Sequence, residues 1–201
     1  MWTTASLIKS IDPNHMVSSG SEGEWGCENN MDLYERIHSC PDIDYLNIHI
    51  WPYNWSWVRE NTLQTNLPTA IKNTDKYIDD HIALAAKYGK PVVLEEFGFP
   101  RDDFQFKQGS PTTARDTYYR HVFGRIVESA KEGGLFAGLN FWGWGGSGRP
   151  RTEMWSKGDD FLCDPPHEPQ GWYSVFDCDS TTATSPAAFH KLKQIITSML
   201  Q

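Results

Sequence analysis

Apolar positions along the chain follow two spacings, one helical and one extended. Ala5, Leu7, Ile8 and Ile11 give a helical face that stops at Asp12-Pro13-Asn14. Residues 15–20 read as a short strand that runs into a Gly/Ser/Glu loop, and residues 44–51 as a clearer second strand. Residues 70–87 predict a helix with Ile71, Ile78, Ile82 and Ala85 on one side, ended by Gly89 and Pro91. Residues 91–97 are nearly continuous in apolar character up to Glu95-Glu96, as a buried strand is. Thr112 is placed to cap a helix facing inward through Tyr119, Val122, Ile126 and Ala130, ended by Gly133-Gly134. Residues 135–142 make a fourth strand, followed by a long loop rich in Gly, Pro and Trp over residues 143–184. Ser185-Pro186 then opens a last helix with Phe189, Leu192, Ile196 and Met199 inward. Strands alternating with helices predict a parallel sheet under helices, with chemistry on the loops after the carboxyl ends of the strands.

Parity within the strands sharpens this. Leu46, Ile48 and Ile50 share one face of the second strand, and Asn47, His49 and Trp51 share the other. In the fourth, Leu139 and Phe141 oppose Asn140, Trp142 and Trp144. A strand covered on both sides has no packing reason to give one whole face to Asn, His and Trp, so that face points to a site. Glu95 and Glu96 close the third strand, and two carboxylates there are costly unless solvated, hydrogen-bonded or catalytic. Adjacent strand residues point to opposite faces, so one of the two is expected at the site and the other at the strand's flank.

Composition narrows the chemistry. The 26 acidic and 18 basic side chains give a net charge of -8, which argues against nucleic acid and anionic lipid as partners. No apolar run approaches the ~18 residues of a membrane span, and residues 1–9 do not read as a signal peptide. A start partway through an element fits either a fragment or an ordinary first helix. Cys27, Cys40, Cys163 and Cys178 show no Cys-x-x-Cys spacing, leaving two disulfides or four free thiols open. The seven His form no His-Glu-x-x-His, no metal or cofactor site is expected, and the glycines of residues 143–148 lack the context of a phosphate loop. Residues 164–172 read as a rigid loop rimming the cleft, with Trp172 a sugar contact. Nine Trp suit a sugar cleft, because indoles stack on the apolar faces of pyranose rings. Trp51, Trp55 and Trp57, crowded with Pro52 and Asn54, exceed what core packing asks for. A carboxylate nucleophile with a second carboxylic acid about 5–5.5 Å away would make a retaining glycosidase.

Tyr45-Leu46-Asn47-Ile48-His49-Ile50-Trp51-Pro52 resembles the sixth-strand motif of glycoside hydrolase family 5. Lys90-Pro91-Val92-Val93-Leu94-Glu95-Glu96-Phe97-Gly98 resembles its seventh-strand nucleophile motif, and Gly138-Leu139-Asn140-Phe141-Trp142 its eighth strand. The opening from Ile8 to His15 and on through Ser21-Glu22-Gly23 is similar to the fourth helix and fifth strand of the endo-β-1,4-mannanase branch. The resemblance implies an α/β chain of the (β/α)₈ TIM-barrel type, with residues 1–201 as a C-terminal half covering strands five to eight. A whole barrel typically takes about 250 residues. It implies Glu96 as nucleophile, because the family's nucleophile precedes the aromatic-Gly pair. It further implies His49 beside it, Trp51 where the family more often has Tyr, Trp142 under the sugar, and Glu22 on the leaving-group side. The family's acid/base, a Glu after Asn ending strand four, has no counterpart, since the chain holds no Asn-Glu dipeptide. The expected function is retaining cleavage of β-1,4-mannosidic bonds in mannans, outside the cell or in the periplasm, with the acid on a missing N-terminal half. A β-1,4-glucanase of the same family and an inactive carbohydrate-binding fragment are the alternatives. The open sheet edges ask for that missing half or a self-association partner.

Overall fold

The structure, a computed structural model, describes residues 1–179, so the expected last helix lies outside the described residues. Helices α1 (Trp2–Ile11) and α2 (Met31–His38) come before the sheet. The sheet itself is three parallel strands in the order β1 (Leu46–Ile50), β2 (Val92–Phe97) and β3 (Phe136–Phe141). The crossovers are α3 (Leu67–Ala86) and α4 (Thr113–Glu132). Leu46, Ile48, Ile50, Val92, Leu94 and Phe97 are fully buried in one cluster with residues of both crossover helices. Tyr119, Val122 and Ile126 join that cluster, whereas Ala130 is exposed. Twenty helical residues span about 30 Å and a six-residue strand about 20 Å, so a crossover helix overhangs its strand.

Four expectations change. The strand expected over residues 15–20 does not form. The segment has no regular structure, and its backbone bond on this side is Asp44 N–H to Val17 O, 2.8 Å, just before β1. Side chains supply the remaining links. Ser19 Oγ donates to Asn47 Oδ1 (2.9 Å), and Asn47 Nδ2 donates to the Ser21 carbonyl (2.6 Å). Serines compete in this way with ladder hydrogen bonds. Helix α2 went unforeseen, although Asn30 caps it by accepting from Leu33 N–H (2.9 Å) and Tyr34 and His38 are buried four apart. The 143–184 loop contains a small parallel pair, β4 (Trp144–Gly146) with β5 (Val175–Phe176). On α1 the expected inner face is inner at Ala5, with Ile8 partly buried beside it, but Leu7 is 59 % and Ile11 77 % exposed.

Thr112 takes the N-cap position of α4, yet its Oγ1 donates to Asp116 Oδ2 (3.0 Å). The capping acceptor is Asp102, which receives Thr113 N–H (2.9 Å) and Ala114 N–H (3.1 Å) from a distant turn. All four cysteines are free thiols, Cys27 and Cys40 buried and Cys178 exposed.

Near the amino-terminal segment, the loop carrying Glu22 is laid on α3. His81 Nδ1 donates to the Tyr77 carbonyl (2.7 Å), so its Nε2 is free to accept Glu24 N–H (3.1 Å), which fixes a neutral ring. A Cβ at Gly23 would lie 2.8 Å from that nitrogen, and φ is +88° there, so both space and backbone ask for glycine. Burial pushes the His81 pKa down to about 4. The unfolded ring takes up its proton near pH 6.5, whereas the folded one waits until about pH 4. Stability from this group is therefore full above pH 6.5 and is lost progressively as pH falls to 4, by about 3 kcal/mol in all. Urea unfolding at pH 7.5 and 4.5 should show that loss in the native chain and a much smaller one in His81→Gln. Equal losses in both would contradict it.

Candidate active site

β2 is not a regular strand where its carboxylates stand. Ile48 pairs with Leu94 but His49 pairs with Glu96, and on the other side Leu94 pairs with Leu139 but Phe97 with Phe141. Glu95 and Glu96 together thus occupy the space of one residue on both neighbours, a β-bulge. The bulge corrects the parity expectation, because Phe97 returns to the buried face and both carboxylates come to His49. His49 Nδ1 is 3.3 Å from Glu96 Oε2, and His49 Nε2 is 3.9 Å from Glu95 Oε2.

Above this end of the strands lies a cavity of ≈ 160 Å³ lined by Glu96, Trp51, Asn54, Trp142, Glu168 and Tyr173. Trp51 meets Trp142 edge-on at 6.3 Å between ring centroids, and Tyr173 at 5.2 Å. These rings close over Gly98, where a Cβ would sit 2.7 Å from the Trp51 ring and 2.8 Å from that of Tyr173. The glycine after Glu96-Phe97 is thus a condition for the aromatic wall. Tyr173 is fixed at its far end by its hydroxyl, which donates to Asn54 Oδ1 (2.8 Å).

Tyr173 and Glu168 arrive on the loop between β4 and β5. Asp164 braces it, accepting from Gly171 N–H (2.7 Å), Tyr173 N–H (3.1 Å) and Ser174 Oγ (2.6 Å). Gln170 Nε2 reaches the carbonyls of Asp164, Pro165 and Glu168. Fully buried Arg101 and Arg115 both donate to the Ser174 carbonyl (2.9 Å each) and to Asp179 Oδ2 (2.7 and 2.8 Å). Against the upward push of burial, these two guanidinium groups hold the Asp179 carboxyl below its ordinary range. Burial pushes the Glu168 carboxyl up; His167 opposes the shift and Asp164 adds to it.

Of the residues singled out from sequence, Glu96, His49, Trp51 and Trp142 are brought together. Glu22 is not among the residues around this cavity; its carbonyl accepts from Tyr77 OH (2.6 Å) on the α3 side. Trp172 is corrected: it is wedged against Phe104 (4.6 Å) and Tyr53 (4.9 Å) and does not line the cavity, which takes its neighbour Tyr173 instead. Trp55 and Trp57 are corrected too. Trp55 stacks on Trp25 at 4.9 Å and meets Trp57 at 5.1 Å, and both pack on the core. Trp144 leaves the inner face of β3 because the chain turns there into β4. Asn54 and Tyr173 were not foreseen as cavity residues, whereas the segment 164–172 read as rimming the cleft does supply Glu168 to it. The nearest signal was the Pro-framed acidic run of residues 164–169. Among the described residues no group of three or more His, Cys, Asp or Glu side chains is arranged to hold a metal ion.

A carboxylate braced by an imidazole beneath a wall of indoles and a phenol can attack or bind a sugar ring. Residues 1–197 match the family described as GH family 5 beta-mannosidase-like. A putative mannan endo-1,4-beta-mannosidase 9 of Oryza sativa subsp. japonica is 31% identical over 169 residues, covering 78% of this chain and 38% of the rice protein. The crystal structure of a family 5 mannosidase from Rhizomucor miehei superposes with a TM-score of 0.81 at 32% identity, covering 98% of this chain and 46% of that one. A mutant of that enzyme in complex with mannosyl-fructose gives 0.85 at 31% identity, with 99% and 48% covered. The chain therefore spans less than half the length of these relatives.

Proposed function

The chain belongs to glycoside hydrolase family 5, in its beta-mannosidase-like group, and from that premise we propose that it carries the nucleophile half of a retaining hydrolase of β-1,4-mannosidic bonds. The observation that carries this reading is Glu96. It stands in the bulge near the end of β2, 3.3 Å from His49 Nδ1, and lines the cavity walled by Trp51, Trp142 and Tyr173. The Glu96 carboxylate attacks the anomeric carbon, and the leaving oxygen takes a proton from a carboxylic acid on the facing strands. That acid lies on an N-terminal half that completes the barrel of which β1, β2 and β3 are strands six, seven and eight. The cavity is smaller than the roughly 300–1,000 Å³ of ordinary ligand pockets, as one wall of a shared cleft would be. Polymeric mannan is too large to enter a cell, so the proposed place of action is outside it or in the periplasm.

The test is the stereochemistry of the first product. With this chain joined to the first half of the Rhizomucor miehei mannosidase, proton NMR of mannopentaose hydrolysis should show the β-anomer appearing first and the α-anomer only by mutarotation. First appearance of the α-anomer would overturn the retaining mechanism.

A further inference from the structure

The bulge brings two carboxylates to one imidazole, and only Glu96 has a place in the reaction just described. A second negative charge beside a nucleophilic carboxylate is unfavourable in a half-buried site, so its presence calls for a physical reason. Resting on the reading of Glu96 as nucleophile, we propose that Glu95 is a positioning residue that acts on Glu96 through the ring of His49.

Glu95 is anchored from outside its own strand. Its Oε1 accepts from Tyr45 OH at 2.8 Å, just before β1, and from Ser18 Oγ at 3.2 Å, on the irregular segment of residues 15–20. Burial and the Glu95 charge push the Tyr45 phenol up, against the Ser18 hydrogen bond, so it stays a donor. With one oxygen fixed to two neighbours, the other faces His49 Nε2 at 3.9 Å. An imidazole offers Nδ1 to one side only in one of its two flipped orientations, and the group met by its far nitrogen decides which. Glu95 fills that place, so Nδ1 stays turned to Glu96 Oε2 at 3.3 Å and leaves Oε1 of Glu96 for attack. The order of links is Ser18 and Tyr45, Glu95, His49, then Glu96. Part of the segment that failed to become a strand thus serves to aim the nucleophile.

The test separates this from the nucleophile assignment. Side-chain ¹⁵N NMR of His49 in the 201-residue chain reads ring orientation and tautomer without substrate. In Glu95→Leu the Nδ1 and Nε2 signals should move, and Glu95→Gln, whose NH2 can donate to the Tyr45 hydroxyl oxygen while its carbonyl oxygen faces Nε2, should restore them. In the chain joined to an N-terminal half, Glu95→Leu should lower kcat about tenfold to a hundredfold while KM stays within about twofold, and Gln should recover most of the loss. Tyr45→Phe, which keeps Glu95 but loosens it, should move the same signals less and covers the case in which the Leu variant does not fold. Unmoved His49 signals in Glu95→Leu and Tyr45→Phe would overturn the proposal. So would a loss of kcat that Gln leaves uncorrected. His49 signals that move in a joined protein with no hydrolase activity would instead remove the nucleophile reading and leave the positioning standing.

Discussion

The 201-residue chain by itself will leave β-mannan uncut, and the same chain supplied with a first half whose fourth strand ends in Asn-Glu will cut it. An alkoxide leaving group on a sugar needs a proton as the glycosidic bond breaks, and general acid catalysis alone contributes about 10²–10⁴ in rate. The chain holds no Asn-Glu, and Glu22 is not among the residues that line the Glu96 cavity. Reducing-sugar release from mannan measures it directly. The isolated chain should fall below about one thousandth of the joined protein. Turnover by the isolated chain at ordinary enzyme rates, about 1–10³ per second, would contradict this. It would point to Glu168, the other carboxyl in the cavity, as the acid.

Glu96→Gln in the joined protein should lower kcat by at least about 10³-fold and leave affinity for mannan-oligosaccharides nearly unchanged. The amide keeps the size of Glu96 and its place against His49, so the aromatic wall over Gly98 stays as it is. What it loses is the attacking oxygen. Glu95→Gln is the matched control: it alters a carboxylate one residue away and should retain most of the activity. A Glu96→Gln enzyme keeping more than a tenth of native kcat would remove Glu96 from the reaction.

The elements with strong periodicity were legible in the sequence, α3, α4 and the three strands among them. Parity correctly set Leu46, Ile48 and Ile50 against His49 and Trp51, because β1 pairs regularly up to Ile48. It failed at Glu95-Glu96, since a bulge is a property of pairing with neighbours and leaves no mark in the strand's own alternation. Thr112 had the right residue type for a cap, but Asp102, ten residues earlier, reaches the helix end first, a tertiary competition no local pattern contains. Tryptophan was misread for a similar reason. An indole suits a sugar platform and a core equally, and only packing separates Trp51 and Trp142, which line the cavity, from Trp55 and Trp57, which pack on the core, and Trp172, which is wedged against Tyr53 and Phe104. Tyr173 escaped notice because the loop carrying it is placed by two buried arginines on Asp179 and by Asp164, contacts from distant parts of the chain.

The central claim is that Glu96 forms the covalent bond to the sugar. Incubating the joined protein with 2-deoxy-2-fluoro-β-mannosyl fluoride tests this most directly, because fluoride leaves without a proton and the fluorine at C2 slows release of the glycosyl-enzyme. Peptide mass spectrometry should then find one fluoromannosyl group, on Glu96, and none in Glu96→Gln. A label on Glu95 or Glu168, or an active hydrolase that takes up no label at all, would contradict the account.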